Sequence, residues 1–201
     1  MKTKPSRSFA SESPTKKKLF LPLFLGGLLV LSTFAIIFSG PAETPVQSYT
    51  YHDTSFRLTP QGWESTVQGQ PLILRHGPKE LESLYPQFPF SSSATLLGLQ
   101  KIYLSYLPNT LVEEALRDLY LNSNILPPAT LSCLEDREGC ETLPVKSCKD
   151  ATAGIGVIVF HLGEQDAMTV DGTCVTLTAN TTTTLTQMTD TLVYTLYGVF
   201  P

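Results

Sequence analysis

The chain has 201 residues, four cysteines and a formal net charge of −4. The charge is unevenly distributed: residues 1–18 carry six basic residues and one acidic residue (+5), whereas residues 43–201 carry eight basic and 17 acidic residues (−9). The acidic balance of the longer part disfavours nucleic acid, which binds basic surfaces, and also disfavours flat adsorption to anionic lipid. The length of that part suits one domain with a hydrophobic core rather than two.

The first predicted element is Leu19–Ser39, an uncharged stretch directly after Lys16–Lys18. Its 21 residues extend roughly 31 Å as a helix, about the thickness of a hydrocarbon core. We interpret it as an uncleaved single-pass membrane helix in contact with lipid. Because basic flanks stay inside, the tail is expected in the cytoplasm and the domain outside the cell membrane. There are three alternatives: a cleaved signal peptide, a pilin-type leader and a buried core helix. The apolar part of a signal peptide is usually only ~7–15 residues long.

The predicted organisation has four parts: a disordered basic tail (1–18), the membrane helix (19–39), a proline-containing spacer (40–48) and an extracytoplasmic domain (49–201). The domain opens with a predicted hairpin, formed by Tyr49–Leu58 and Trp63–His76 around a turn at Thr59–Gly62. Gly69–Pro71 is expected to introduce a further turn in the second segment.

A βαβ unit is predicted next. Gln100–Leu107 is a strand, a helix runs from Thr110 to about Asn122, and Ala129–Cys133 is a second strand parallel to the first. Within this helix, Glu113 and Arg117 have the i,i+4 spacing of an ion pair.

The rest of the domain is predicted as a β-meander followed by a carboxy-terminal helix. Ile155–Leu162 is apolar nearly throughout, which indicates a central strand covered on both faces. Ala167–Val170 is expected at an edge. The other predicted strands are Pro144–Lys149 and Cys174–Thr178. The closing helix has an apolar stripe with helical spacing, formed by Leu185, Met188, Leu192, Leu196 and Val199. The fold class is therefore α/β (α+β), with one mixed-sheet domain.

The cysteines all lie in the exported part, where an even number predicts disulfides: Cys133, Cys140, Cys148 and Cys174. Sequence spacing favours pairing between neighbours, although four cysteines allow three connectivities. A zinc site is the alternative, but the C-x₂-C spacing of zinc knuckles is absent.

No motif in the sequence assigns a catalytic, cofactor-binding or metal-binding residue. The chain has no G-x-S-x-G elbow, H-E-x-x-H helix, P-loop or dinucleotide fingerprint, and no cofactor is expected. The acidic loop Leu134–Leu143 lacks the oxygen spacing of a calcium loop. The sequon Asn180-Thr181-Thr182 makes Asn180 a glycosylation candidate on an exported domain.

The region Ser132–Phe200 resembles a known group of proteins. The run SCLEDREGCETLPVKSCKDAT, then GVIVF, DGTCVTLTA and the closing LVYTLYGVF, is similar to small uncharacterised archaeal membrane-anchored proteins. These share a cysteine pair, an LPV-x-x-C segment, a strand, a further cysteine and a helical ending. The resemblance implies disulfides and an archaeal cell-surface setting, and it implies no activity or site residue.

These observations favour a membrane-tethered module that binds or scaffolds a protein partner, either in the envelope or as an accessory subunit of a membrane complex. An enzyme is less expected. The alternative is an exported hydrolase with an unpatterned site, for which His52, His76 and Asp53 are the candidate residues. A bare structural spacer is the third interpretation.

Overall fold

The structure is a computed structural model that describes residues 20–38, 47–84, 93–108 and 110–200. The chain divides into two units, residues 1–45 and 46–201. In the first unit, helix α1 spans Phe20–Phe38. Leu19, Ser39 and the predicted tail and spacer up to Val46 lie outside the described residues. Within the residues that the structure describes, no helix is long and apolar enough to cross a membrane.

The second unit opens with a four-stranded antiparallel sheet in sequence order, formed by β1 (Ser48–Tyr51), β2 (Thr54–Thr59), β3 (Gly62–Val67) and β4 (Gln70–Leu74). The predicted turns at Thr59–Gly62 and at Gly69 are confirmed. Gly62 has a φ of +133°, and a Cβ there would collide with the Leu74 carbonyl. The first predicted strand, however, is two strands, because His52 and Asp53 adopt positive φ (42° and 64°) and reverse the chain.

The second sheet has five strands in the order β6-β5-β7-β9-β8. Its strands are β5 (Lys101–Tyr106), β6 (Ala129–Cys133), β7 (Ile155–Leu162), β8 (Ala167–Asp171) and β9 (Cys174–Ala179). Strands β5, β6, β7 and β9 are parallel, and β8 is antiparallel to β9. The predicted βαβ unit, the central position of β7 and the edge position of β8 are confirmed.

Two details of the predicted meander are wrong. First, β9 rather than β8 lies beside β7, because β9 is apolar enough to be covered on both faces whereas β8 is half exposed. Second, Pro144–Lys149 forms no strand. Val145 makes only an isolated bridge to Cys133, and Ser147 then caps a 3₁₀ turn at Cys148–Asp150. The capping hydrogen bonds turn the backbone out of the extended conformation.

The α-helices that the structure describes in this unit are α2 (Pro78–Leu81), α3 (Ser93–Leu97), α4 (Thr110–Leu121) and α5 (Thr182–Leu196). Helix α5 lies between the sheets: Tyr194 packs edge-on against Phe56 of β2, with ring centroids 5.8 Å apart, and α5 also contacts β7 and β9. Helix α4 packs beside α5. One apolar core therefore joins the antiparallel sheet, the helix layer and one face of the mixed sheet.

Helix α5 is buried on nearly every side although it is rich in threonine. Its threonine hydroxyls bond to carbonyls four residues earlier, as Thr189 does to Leu185 at 2.8 Å and Thr195 does to Thr191 at 2.8 Å. Such bonds satisfy hydroxyls that would otherwise be costly to bury. The Thr181 side chain accepts from the Thr184 N–H and caps the helix start.

The opposite face of the mixed sheet is covered by the disulfide-linked loop. Val157, Val159 and Cys174 form a small cluster there, with Tyr103 and Leu134 packed against it. The predicted pairing is confirmed, with disulfides Cys133–Cys140 and Cys148–Cys174. These bonds join the loop to the end of β6 and to the start of β9.

Candidate functional site

Helix α4 combines a buried face with an exposed apolar end. The buried face carries Val112, Ala115, Leu116 and Leu119. At the carboxy-terminal end, Tyr120 is 58% exposed and Leu121 is 61% exposed. Adjacent helical residues are rotated by ~100°, so the helix that buries Leu119 turns the next two side chains away from the core. Two pockets lie beside this exposed end.

The first pocket has a volume of about 750 Å³ and lies between α4, the edge strand β4 and the β2–β3 turn. Its polar lining includes Arg75, Arg117, Asp118 and Asn122. The apolar lining comes from Leu58, Pro60, Pro71, Ile73 and Leu121. The volume and the mixed lining are of the kind that binds a ligand or a segment of a partner.

The second pocket has a volume of about 330 Å³ and lies between α4 and the β5–β6 edge of the mixed sheet. It is lined mainly by apolar and aromatic side chains, namely Tyr106, Leu116, Tyr120 and Leu131. Glu113 and Arg117 complete its rim. Arg117 thus contributes to both pockets.

Arg117 makes no ion pair with any other residue that the structure describes. The predicted pair with Glu113 is therefore wrong, although both side chains are exposed on α4. An exposed i,i+4 pair is worth only about 0.3–0.5 kcal/mol, which is too little to hold two long side chains in one geometry. Arg117 is therefore an exposed residue without an ion-pair partner beside the two pockets.

Arg75 joins β4 to α4 through two carboxylates. Its Nε lies 2.7 Å from Asp118 Oδ2, and its Nη1 lies 3.1 Å from Glu114 Oε2. Burial raises the pKa of Asp118 to about 6, reinforced by the nearby charge of Asp190 and opposed by the Arg75 guanidinium. The two acidic residues of α4 on this side are therefore held by Arg75.

Asn122 closes the edge of the antiparallel sheet. Its Nδ2 donates to the Ile73 carbonyl at 2.8 Å, and the Ile73 N–H donates to Oδ1 at 3.0 Å. The same Nδ2 also donates to the Asp118 carbonyl at 2.8 Å. One side-chain amide thus replaces the strand that would otherwise pair with β4 at Ile73, and Pro71 offers no N–H.

A second polar cluster ties α5 to the segment after β4. Asp190 Oδ2 accepts from the His76 backbone N–H at 3.0 Å and lies 2.9 Å from His76 Nδ1. Tyr194 donates its hydroxyl hydrogen to the His76 carbonyl at 2.9 Å. Asp190 is fully buried, burial raises its pKa, and its Oδ1 has no hydrogen-bond partner among the described residues. The cluster fixes the position of the His76 ring, which keeps 19% of its side-chain surface exposed.

The three candidate residues of the hydrolase interpretation are not brought together. His52 and Asp53 form the β1–β2 turn, whereas His76 follows β4. The strand register places these positions at opposite ends of the four-stranded sheet, roughly 20 Å apart for strands of this length.

Other predicted positions fall outside the pockets. Asn180 is exposed between β9 and α5, where its backbone N–H donates to Asp166 Oδ1; its glycosylation stays a prediction. Cys133, Cys140 and Cys174 are buried in disulfides, and Cys148 is exposed. No group of three or more His, Cys, Asp or Glu side chains within the described ranges could hold a metal ion.

No protein-family model, curated protein or solved structure matches this chain. The resemblance of Ser132–Phe200 to archaeal membrane-anchored proteins therefore stays a prediction.

Sequence reasoning missed the residues that organise both clusters, above all Asp190, Asn122 and the Arg75–Asp118 pair. Asp190 could have been noticed, because it is the one charged residue in the fifteen-residue helix α5. A lone acid inside an apolar stripe requires a partner. Its partner, His76, is 114 residues away and carries no local signal.

Proposed function

We propose that this chain is a membrane-tethered extracytoplasmic module that binds a protein partner. The binding region is the α4 surface, defined here as Leu58, Ile73, Arg117, Tyr120, Leu121 and Leu131. The observation that carries the proposal is the presence of two adjacent pockets around an exposed, partly apolar helix end. Single exposed apolar residues are ordinary on protein surfaces, but a set of them that lines two neighbouring pockets is typical of interaction sites.

The tether and the compartment rest on separate support. The tether rests on the sequence, in which three lysines precede 21 uncharged residues. The compartment is supported by the two disulfides, which persist in oxidising environments. An archaeal cell surface is the setting that the resemblance of Ser132–Phe200 implies.

The binding proposal is tested by photo-crosslinking in the native membrane. A photoreactive residue at position 120 or 131 should yield one discrete crosslinked species. The matched control is position 149, which is also exposed but lies in the 3₁₀ turn that packs on the other face of the mixed sheet. No crosslink at 120 and 131, or an equal yield at 149, would reject the α4 surface as a partner site.

The tether is tested by protease treatment of intact cells. Externally added protease should degrade residues 49–201, and the domain should stay in the membrane fraction after a carbonate wash. Full protection from the protease would place the domain on the other side of the membrane. Release of the domain by the carbonate wash would show that the chain is not anchored in the membrane.

A further inference from the structure

The position of Arg117 gives the α4 surface a chemical preference. Arg117 lines both pockets, and no carboxylate in the described part of the chain lies within ion-pair distance of it, although its charge helps to lower the pKa of the neighbouring Asp118. Asp118 and Glu114 on the same helix are both bonded to Arg75. A positive charge without an ion-pair partner is thus placed between a pocket of mixed lining and a mainly apolar one, on a domain whose formal charge is −9.

We propose that the α4 surface takes an extended segment of a partner protein, in which an Asp or Glu side chain pairs with Arg117. Apolar side chains on either side of that acid enter the two pockets. This inference rests on the proposed function and gives the partner a chemical class.

The charge of Arg117 and the shape of its guanidinium favour a carboxylate as the group that it binds. Arginine presents a planar fork of donors that matches a carboxylate through two parallel hydrogen bonds. The apolar walls contributed by Leu121 and Tyr120 lower the local dielectric when a ligand covers them, which strengthens such a pair. An acid within the segment is favoured over a chain terminus, because a terminal carboxylate on Arg117 would leave one of the two pockets empty.

The arrangement of the β4 edge determines the binding mode. Strand addition needs free N–H and C=O groups along an edge strand. At this edge, Pro71 has no N–H, and both backbone groups of Ile73 are bonded to Asn122. Recognition therefore depends on side chains entering pockets, with Arg117 fixing the register.

The test measures binding of defined peptides to the full chain in detergent. The probes are fluorescent peptides of about 12 residues, long enough to cross both pockets, with a central Asp and varied apolar residues on each side. A matched set carries Asn in place of Asp. By fluorescence anisotropy, the best Asp peptides should bind at least tenfold tighter than their Asn partners, a difference of ~1.4 kcal/mol.

Three variants locate the effect. Arg117→Gln should abolish the difference between Asp and Asn peptides. Tyr120→Ser should weaken both sets about equally. Arg57→Gln is the matched control, because it removes the same charge from an exposed arginine that pairs with Glu64 at 2.8 Å on the antiparallel sheet, and it should preserve the preference. Thermal unfolding of every variant, followed by the fluorescence of the single Trp63, shows whether the fold is retained.

The inference is overturned if Asp and Asn peptides bind equally, if no Asp peptide binds more tightly than about 1 mM, or if Arg57→Gln acts like Arg117→Gln. Its failure is distinguishable from failure of the proposed function. Crosslinking at positions 120 and 131 with no Asp preference would support the binding module and reject the proposed carboxylate recognition. An Asp preference without crosslinking would mean that the surface binds acidic segments but holds no partner in the membrane.

Discussion

Replacement of Asn122 by alanine tests the link between α4 and the antiparallel sheet. The side-chain amide makes three hydrogen bonds, two with the backbone of Ile73 and one with the Asp118 carbonyl. Asn122→Ala removes all three and leaves the Ile73 N–H and C=O at the wall of the first pocket. Because that pocket is open to solvent, water can reach those groups, so the loss is one of net hydrogen bonds rather than of permanently unsatisfied ones.

The expected magnitude follows from the number of bonds. A typical intramolecular hydrogen bond contributes about 0.5–1.5 kcal/mol net. Three bonds therefore predict a decrease in the free energy of unfolding of roughly 1.5–4.5 kcal/mol, a large share of the stability of a domain of this size. Asn124→Ala is the matched control, because Asn124 is exposed at the same pocket and its side chain makes no hydrogen bond within the described part of the chain. It should change stability by less than about 0.5 kcal/mol.

The measurement is urea unfolding under non-reducing conditions, followed by the fluorescence of Trp63, which is buried in the same sheet. Asn122→Ala should also increase self-association, because the exposed edge of β4 becomes available for pairing. Equal unfolding midpoints for the two alanine variants would refute the view that Asn122 supports the sheet. A lower midpoint without any increase in self-association would refute only the view that Asn122 protects the edge of β4 from pairing with another chain.

Three further predictions concern charge, modification and covalent links. The folded-state pKa of Asp118 is raised to about 6 from 3.8, so its stabilising contribution is present below about pH 4 and is lost as the pH rises through 6. The free energy of unfolding should therefore fall by about 2–3 kcal/mol across that window, and a titration of Asp118→Asn should give a shallower slope. Asn180 should carry a glycan when the chain is exported by a glycosylating host, seen as a mass shift that Thr182→Ala removes. A mass shift that persists in Thr182→Ala would show that the glycan is attached to another residue. Serine replacement of Cys148 and Cys174 should cost about 3.5 kcal/mol by loop entropy, measured by urea unfolding; an unchanged midpoint would contradict that contribution.

The elements that sequence predicted correctly are those whose signals are local. The strand β7 is apolar at nearly every position, which requires cover on both faces and therefore a central place. The strand–helix–strand order from Lys101 to Cys133 imposes a parallel pairing, because a connection of that length carries the chain back to the same end of the sheet. The disulfide pairing was also predictable from the sequence, because each bond joins two cysteines that are neighbours in sequence order.

The features that could not be predicted depend on contacts between distant segments. The β1–β2 turn had a weak local signal, because His and Asp tolerate the positive φ that His52 and Asp53 adopt. The pairing of Arg75 with Asp118 spans 43 residues, and sequence spacing alone does not determine which of several acids an arginine meets. The pockets beside α4 exist only once β4 and the β5–β6 edge flank that helix, so their lining residues share no sequence pattern.

The burial of α5 explains why the candidate binding surface lies on α4. Helix α5 is enclosed by both sheets and by α4; its apolar side chains belong to the core, and its buried polar side chains bond to backbone carbonyls or to His76. Helix α4 already buries an apolar face of its own, so Tyr120 and Leu121 are not needed to complete that core. These two large side chains keep more than half of their surface exposed, so they contribute less to folding than fully buried residues would. These two residues, with Arg117, are therefore the ones that the proposed partner would bury at little cost to the stability of the domain.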